Sequence, residues 1–145
     1  MSSYPAIPLQ KLVLVREKSV RVPAKMNSTW QASAVAKKLT DGSPDESLMV
    51  FCVNGQHELL SAQVVATGAP NNVAFTAAQV FRAAVISNAA GVIVAHNHPS
   101  GSTMLSDDDW RAYNAIKAAG QALSIPVLDF IVVSHTQPGC TSVHD

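Results

Sequence analysis

Residues 88–110 read NAAGVIVAHNHPSGSTMLSDDDW, and this stretch decides the fold. Gly91 to Ala95 form a short strand with no polar face, the kind found in the middle of a sheet. His96-Asn97-His98 follows at its carboxyl end, and Pro99-Ser100-Gly101 turns the chain. Ser106 is a good N-cap. Asp107, Asp108 and Asp109 fill the first turn of the next helix, where the helix dipole favours carboxylates. A strand, a loop and a helix in that order make a mixed α/β sandwich, a fold that places its chemistry at the carboxyl ends of strands. In extended backbone, residues i and i+2 share a face, so His96 and His98 can reach one metal ion. Asp109 can supply a third, oxygen ligand once the turn folds the chain back; Asp107 and Asp108 are rivals, and the register favours Asp109. Two imidazoles and one carboxylate with an open fourth position fit a catalytic zinc site, where a bound water ionises near pH ~7.

Upstream, residues 47–53 (SLMVFCV) read as a buried strand. Asn54-Gly55 predicts a type I′ hairpin, and residues 57–68 (HELLSAQVVATG) return as its partner. Residues 69–75 (APNNVAF) are a loop into Thr76-Ala77-Ala78-Gln79, a capping box that opens a helix with Val80, Phe81, Ala84 and Val85 inward. An earlier box, Ser28-Thr29-Trp30-Gln31, starts a helix with Trp30, Ala34, Val35 and Leu39 as its apolar face, ended by Asp41-Gly42-Ser43-Pro44. Ahead of it, residues 9–15 (LQKLVLV) and 18–23 (KSVRVP) have strand character. Downstream, the helix from Ser106 runs through Trp110, Tyr113, Ile116 and Leu123. Residues 125–133 (IPVLDFIVV) finish the sheet, and residues 134–145 read as loop and terminus.

The 145 residues are one domain's worth, and 48% hydrophobic against 14% charged excludes disorder and coiled coil. No apolar run approaches the ~18 residues that span a bilayer, and the first ten residues lack a signal peptide's basic and apolar regions. Cys52 and Cys140 form no CxxC, so neither a disulfide framework nor a cysteine zinc site is expected. A soluble cytoplasmic domain without membrane association follows. Net charge is zero, yet residues 1–40 carry +6 and residues 41–145 carry −6. A solvated face that balances the acidic half is the plainer reading of Lys11, Arg16, Lys18, Arg21 and Lys25. The sharper one is weak, sequence-independent nucleic-acid binding through this basic N-terminal segment, falling steeply with salt.

The spacing H-x-H-x(7)-S-x-x-D, from His96 to Asp109, resembles the JAMM (MPN+) metalloprotease motif. The HNHPSG core and its flanks resemble more narrowly the RadC family of bacterial JAB-domain proteins, a likeness running from about residue 30 to about residue 133. The resemblance implies one JAB/MPN domain over residues 1–145: an α/β fold of the cytidine deaminase-like type, with a mixed β-sheet flanked by helices. Residues 1–27 are then a basic N-terminal strand region, and the forty residues available ahead of the JAB core are too few for the family's helix-hairpin-helix segment. It implies His96, His98 and Asp109 as ligands of one Zn2+ per chain, and Ser106 as a hydroxyl that stabilises an oxyanion besides capping its helix. It also implies an upstream glutamate that positions and deprotonates water. Glu46, just ahead of SLMVFCV, matches that glutamate; Glu17 and Glu58 read as solvated. Two departures stand out: Thr76-Ala77 replaces the family's Pro-Arg, and Asp129-Phe130 replaces its Asp-His. They bear on substrate and DNA association more than on zinc.

The implied activity is zinc-dependent hydrolysis of amide or isopeptide bonds in a peptide or isopeptide substrate, linked to DNA repair or mobile elements. The alternative is a non-catalytic JAB-fold module that docks DNA-associated partners. A metal-dependent nuclease fits less well, because the acidic half would repel phosphates. Zinc deaminases need H-x-E with P-C-x-x-C, and position 98 is His with no cysteine pair. HExxH is absent, and no Asp-His follows the histidine pair as the metallo-β-lactamase type requires. His57, His135 and His144 lack ligand-like spacing and read as surface residues. The oligomeric state is not legible in the sequence.

Overall fold

Hydroxyl N-caps set the starts of the helices in the computed structural model, which describes residues 3–68 and 74–145. Helix α1 covers Thr29–Leu39, α2 Ala77–Ile86 and α3 Asp107–Leu123. Ser28, Thr76 and Ser106 each accept the amide proton of the residue three further on, and that residue's side chain bonds back to the cap amide. Two orphan helix donors are thereby satisfied at each start. Most of the loop expected at 69–75 lies outside the described residues; Ala74 and Phe75 have no regular structure.

Between the helices run β1 (Glu46–Val53), β2 (Leu59–Gly68), β3 (Gly91–Asn97), β4 (Val127–Val133) and β5 (Cys140–Ser142). They form one mixed sheet in the order β2-β1-β3-β4-β5, antiparallel except for the β3–β4 pair. Strand β3 is central, and every residue in it is buried. Period-two alternation divides the core. Leu48, Val50, Cys52, Val92, Val94, Phe130 and Val132 pack with α2 and α3. Met49, Phe51, Val53, Ile93, Ala95, Ile131 and Val133 pack with α1. The result is an α/β sandwich, as the sequence pattern predicts. His96 continues the even-numbered series of β3, so it points toward the side where α3 begins.

Several expectations are corrected. Residues 9–15 and 18–23 form no strand, and Leu9, Leu12, Val13 and Val15 are exposed. A strand needs a neighbour for its backbone groups. This segment joins the ladder only at the Lys25↔Glu58 bridge, with Val22 resting against the α1-side core. Trp30 and Val85 are exposed rather than inward. The buried stripe of α1 is Ala32, Ser33, Val35 and Ala36, small residues that let the helix lie close to the sheet.

The hairpin forms, but not as type I′. The left-handed residue is His57 (φ 59°), while Asn54 accepts the Gln56 and Glu58 amides at 2.9 Å each. With Asn54 N–H bonded to Glu58 C=O at 3.0 Å, the loop is one residue longer than the two of a type I′ turn. Finally, the terminus is not all loop: β5 pairs with β4, and Asp145 accepts the Ser142 amide at 2.8 Å. No helix among the described residues is long and apolar enough to cross a membrane.

Candidate metal centre

The turn after β3 explains how two histidines from one strand end face one point. Gly101 N–H bonds His98 C=O at 3.1 Å across Pro99-Ser100, with Gly101 at φ 96°. A β-carbon at Gly101 would sit 2.7 Å from the Thr136 hydroxyl, so this corner requires glycine for space as well as conformation. The turn carries Ser102 back under His98, whose Nδ1 donates to the Ser102 carbonyl at 2.9 Å. That bond leaves the Nε2 atom of His98 aimed inward, 3.1 Å from Asp109 Oδ2.

Asp109 is the third residue of α3 and is buried there. Its Oδ2 accepts the Ser106 amide at 2.9 Å, its own amide bonds Ser106 Oγ at 3.1 Å, and its Oδ1 accepts from His96 Nδ1 at 3.0 Å. The imidazoles meet edge to face, 5.1 Å apart. Glu46 enters from the start of β1. The antiparallel register that pairs Leu48 with His96 carries it alongside the histidine pair, and its carboxylate lies 3.4 Å from His96 Nε2. That approach falls short of a hydrogen bond, and His96 Nε2 is buried with no hydrogen-bond partner among the described residues.

The electrostatics follow from these contacts. Hydrogen bonding to Asp109 raises the His98 pKa, working against burial; the Asp109 charge, the Ser102 carbonyl and Glu46 add to the rise. Burial alone would raise the Asp109 pKa, but hydrogen bonds from His96, His98 and Ser106 outweigh it and hold the carboxyl well below its usual range. Both nitrogens of His98 face acceptors, so the arrangement favours positive charge between the rings and the carboxylate. A cation is the other way to meet that demand. One donor atom from each of His96, His98 and Asp109 lies within 4.8 Å of the others, and with the orphaned His96 Nε2 this donor set fits a divalent metal ion.

The group lines a cleft of about 690 Å³. Glu46, His96, His98, Ser106 and Asp109 supply its polar side; Leu48, Phe75 and Phe130 supply apolar wall. Phe130, standing where the family pattern has histidine, is fully buried and packs edge-on to Tyr113 at 5.9 Å. Exposed Arg111 at the rim pairs with Asp108, so that rival carboxylate is engaged outside the ligand group. The structure thus brings together all five residues singled out by spacing and resemblance. Glu17 is exposed; Glu58 is half-buried and accepts from Asn54 at 3.1 Å. His57 occupies the hairpin, His135 contacts the Thr40 hydroxyl at 3.0 Å, and His144 contacts the Leu128 carbonyl at 3.2 Å; none joins the group. Sequence reasoning passed over Asn97 and the Ser102 carbonyl. The signal for Asn97 was a buried amide between two inward-facing histidines.

A mixed α/β sandwich with a His-His-Asp group between a strand end and a helix start defines a domain with a candidate metal centre. The RadC-like JAB domain family model matches residues 26–145, and the chain belongs to that family. A UPF0758 protein of Chlorobium chlorochromatii is 30% identical over 116 residues, covering 78% of this chain and 52% of that protein. One from Thermotoga maritima is 29% identical over 114 residues, covering 79% and 51%. One from Thermosynechococcus vestitus is 36% identical over 90 residues, covering 62% and 36%. The chain spans about half the length, or less, of the curated relatives it matches.

Proposed function

We propose that this domain is a zinc-dependent hydrolase of amide or isopeptide bonds, with His96, His98 and Asp109 as ligands. The observation that carries the reading is the convergence of Glu46 and the orphaned, buried His96 Nε2 at 3.4 Å in a cleft of about 690 Å³. A divalent ion held there supplies Lewis acidity and lowers the pKa of water toward neutrality. Glu46 then takes the proton of the attacking water and passes it to the leaving amine, the two halves of general acid–base catalysis. Ser106 Oγ accepts the Asp109 amide, and among the described residues its own proton has no acceptor, so it is free to donate to an oxyanion at the cleft rim. The apolar wall of Leu48, Phe75 and Phe130 favours a peptide over a phosphodiester.

The test is a peptide and isopeptide library screened against zinc-loaded chain, with Glu46→Gln as control. Turnover that vanishes on chelation and in the control supports the reading; zinc-independent turnover, or none with zinc bound, defeats it. Should hydrolysis be absent, a DNA-associated docking module becomes the better account. The irregular, exposed segment with Lys11, Arg16, Lys18 and Arg21 favours that reading, and salt-sensitive DNA binding lost on its removal would support it.

A further inference from the structure

The paired backbone register of β1 and β3 ends at Leu48↔His96, one residue short of Ser47 and two short of Glu46. Beyond that point β3 has little backbone to offer β1. The His98 amide is committed to Val133 C=O on β4 at 2.9 Å, and Pro99 has no N–H at all. Glu46 and Ser47 pair with Gly68 and Thr67 of β2, but on the β3 side the Ser47 amide and the Asp45 carbonyl would be left without a strand partner in a buried place: Glu46 is 3% exposed and Ser47 5%.

Asn97 fills the gap with its side chain. Its Oδ1 accepts the Ser47 amide at 2.6 Å, and its Nδ2 donates to the Asp45 carbonyl at 3.0 Å. These two groups stand immediately on either side of Glu46. Asn97 is itself 1% exposed, and by strand alternation it follows Ile93 and Ala95 of the α1-side series while His96 follows Val92 and Val94 of the α3-side series. One primary amide, with a donor and an acceptor on one plane, meets both demands; no other uncharged side chain of this length does.

We infer that Asn97 is a positioning residue. It latches the Asp45–Ser47 backbone from both flanks and so aims the Glu46 carboxylate at the His96–His98–Asp109 group without touching metal or substrate. The same tripeptide therefore supplies two metal ligands and the support of the base. The inference rests on the hydrolase reading only for its catalytic consequence; the latch itself is a statement about backbone order.

The experiment uses the 145-residue chain, metal-free and zinc-loaded, carrying Asn97→Ala or Asn97→Asp. Asn97→Ala should keep one-to-one zinc binding within about threefold of wild type. Its Ser47 amide should exchange with solvent about 10- to 100-fold faster, as loss of a buried hydrogen bond implies. Turnover should fall in kcat by on the order of 10- to 100-fold with KM little changed, the signature of a misplaced group. In the Glu46→Gln background, Asn97→Ala should cost nothing more, because the two act through one carboxylate. Asn97→Asp keeps the acceptor and loses the donor, so Ser47 should stay protected while kcat falls about tenfold. Unchanged Ser47 exchange in Asn97→Ala overturns the latch. Loss of zinc in either variant would show that Asn97 supports the histidines instead, and additive effects with Glu46→Gln would sever it from the base. If wild type hydrolyses nothing, the hydrolase reading fails alone, and zinc binding with amide exchange still judges the latch. If Asn97→Ala does not fold, wild-type activity in Asn97→Asp refutes a two-sided hold.

Discussion

Helices α2 and α3 begin with the same local device and put it to different uses. At α2, Gln79 Oε1 accepts the Thr76 amide at 2.7 Å, and Thr76 Oγ1 accepts the Gln79 amide at 3.2 Å. That box is exposed and satisfies its own helix. At α3 the third residue is Asp109, shorter and charged, and the box sits over the carboxyl end of β3. Asp109 makes the same two-way bond with Ser106, its carboxylate accepting the Ser106 amide and its own amide donating to Ser106 Oγ, and the carboxylate still has oxygen to spare for His96 and His98. The comparison teaches that the candidate ligand is fixed by a folding motif rather than by the ion. Cap and site share one side chain, so substitutions at α3 carry both a stability cost and a chemical cost, while those at α2 carry the first alone.

The largest expected effect lies outside both boxes. Glu46→Gln preserves shape and adds no cap defect, so zinc content and thermal stability should match wild type while hydrolysis slows by ~10²–10⁴-fold. Full activity with zinc bound would remove the base from the site and reduce the α3 box to a cap. Next comes Asp109→Asn. The amide oxygen can still accept the Ser106 amide, so the helix start should survive, but a neutral amide is a poor zinc ligand. Zinc affinity, read by competition with a chelating dye, should drop by at least the ~10–100-fold that losing a ligand's outer hydrogen-bond partner costs. Gln79→Ala should leave zinc affinity untouched.

Ser106→Ala against Thr76→Ala sharpens the same contrast at smaller scale. Each should cost about 1 kcal/mol in denaturant unfolding as a lost N-cap. Only Ser106→Ala should also slow turnover, on the order of 10²-fold, if its hydroxyl meets an oxyanion. Equal unfolding costs with equal activities would leave Ser106 a cap and nothing more.

What could be read beforehand follows the same division between local and distant causes. The two capping boxes at Ser28 and Thr76, the N-cap Ser106, the apolar strand Gly91–Ala95 and the spacing from His96 to Asp109 are encoded within a few residues, and they stand where the pattern puts them. Glu46 was legible only through resemblance, because its place opposite the histidines depends on the β1–β3 register, fifty residues apart in sequence. Strand β5 is three residues long and exists only because the β4 edge is there to pair with it. The residues at 9–15 have strand composition but pair with no strand among the described residues, and they stay irregular and exposed. Trp30 is exposed because a capping box fixes where a helix begins, not which face the sheet will take.

The smallest expected effect is on the metal-free protein's stability against pH, and it again separates the boxes. The Asp109 pKa is depressed on folding, so its contribution is present above the unfolded value of ~3.9 and is lost as pH falls through the folded value. The His98 pKa is raised, so its contribution is complete below the unfolded value of ~6.5 and is lost as pH rises through the folded value. Their mutual support is therefore whole between about pH 4 and about pH 6.5 and declines on the alkaline side. In chelated protein, the destabilisation caused by Asp109→Asn should be larger at about pH 6 than at about pH 8. Gln79→Ala, which removes no titrating group, should cost the same at both. Zinc should reverse the alkaline decline, since His98 must shed its proton to ligate, and the zinc-induced rise in Tm should grow from pH 6 to pH 8. Thermal melts of the three chains at the two pH values, with zinc and with chelator, check all of this. A pH-independent Asp109→Asn cost in the chelated protein would mean that His98 does not lean on Asp109, and that the α3 box differs from the α2 box in position alone.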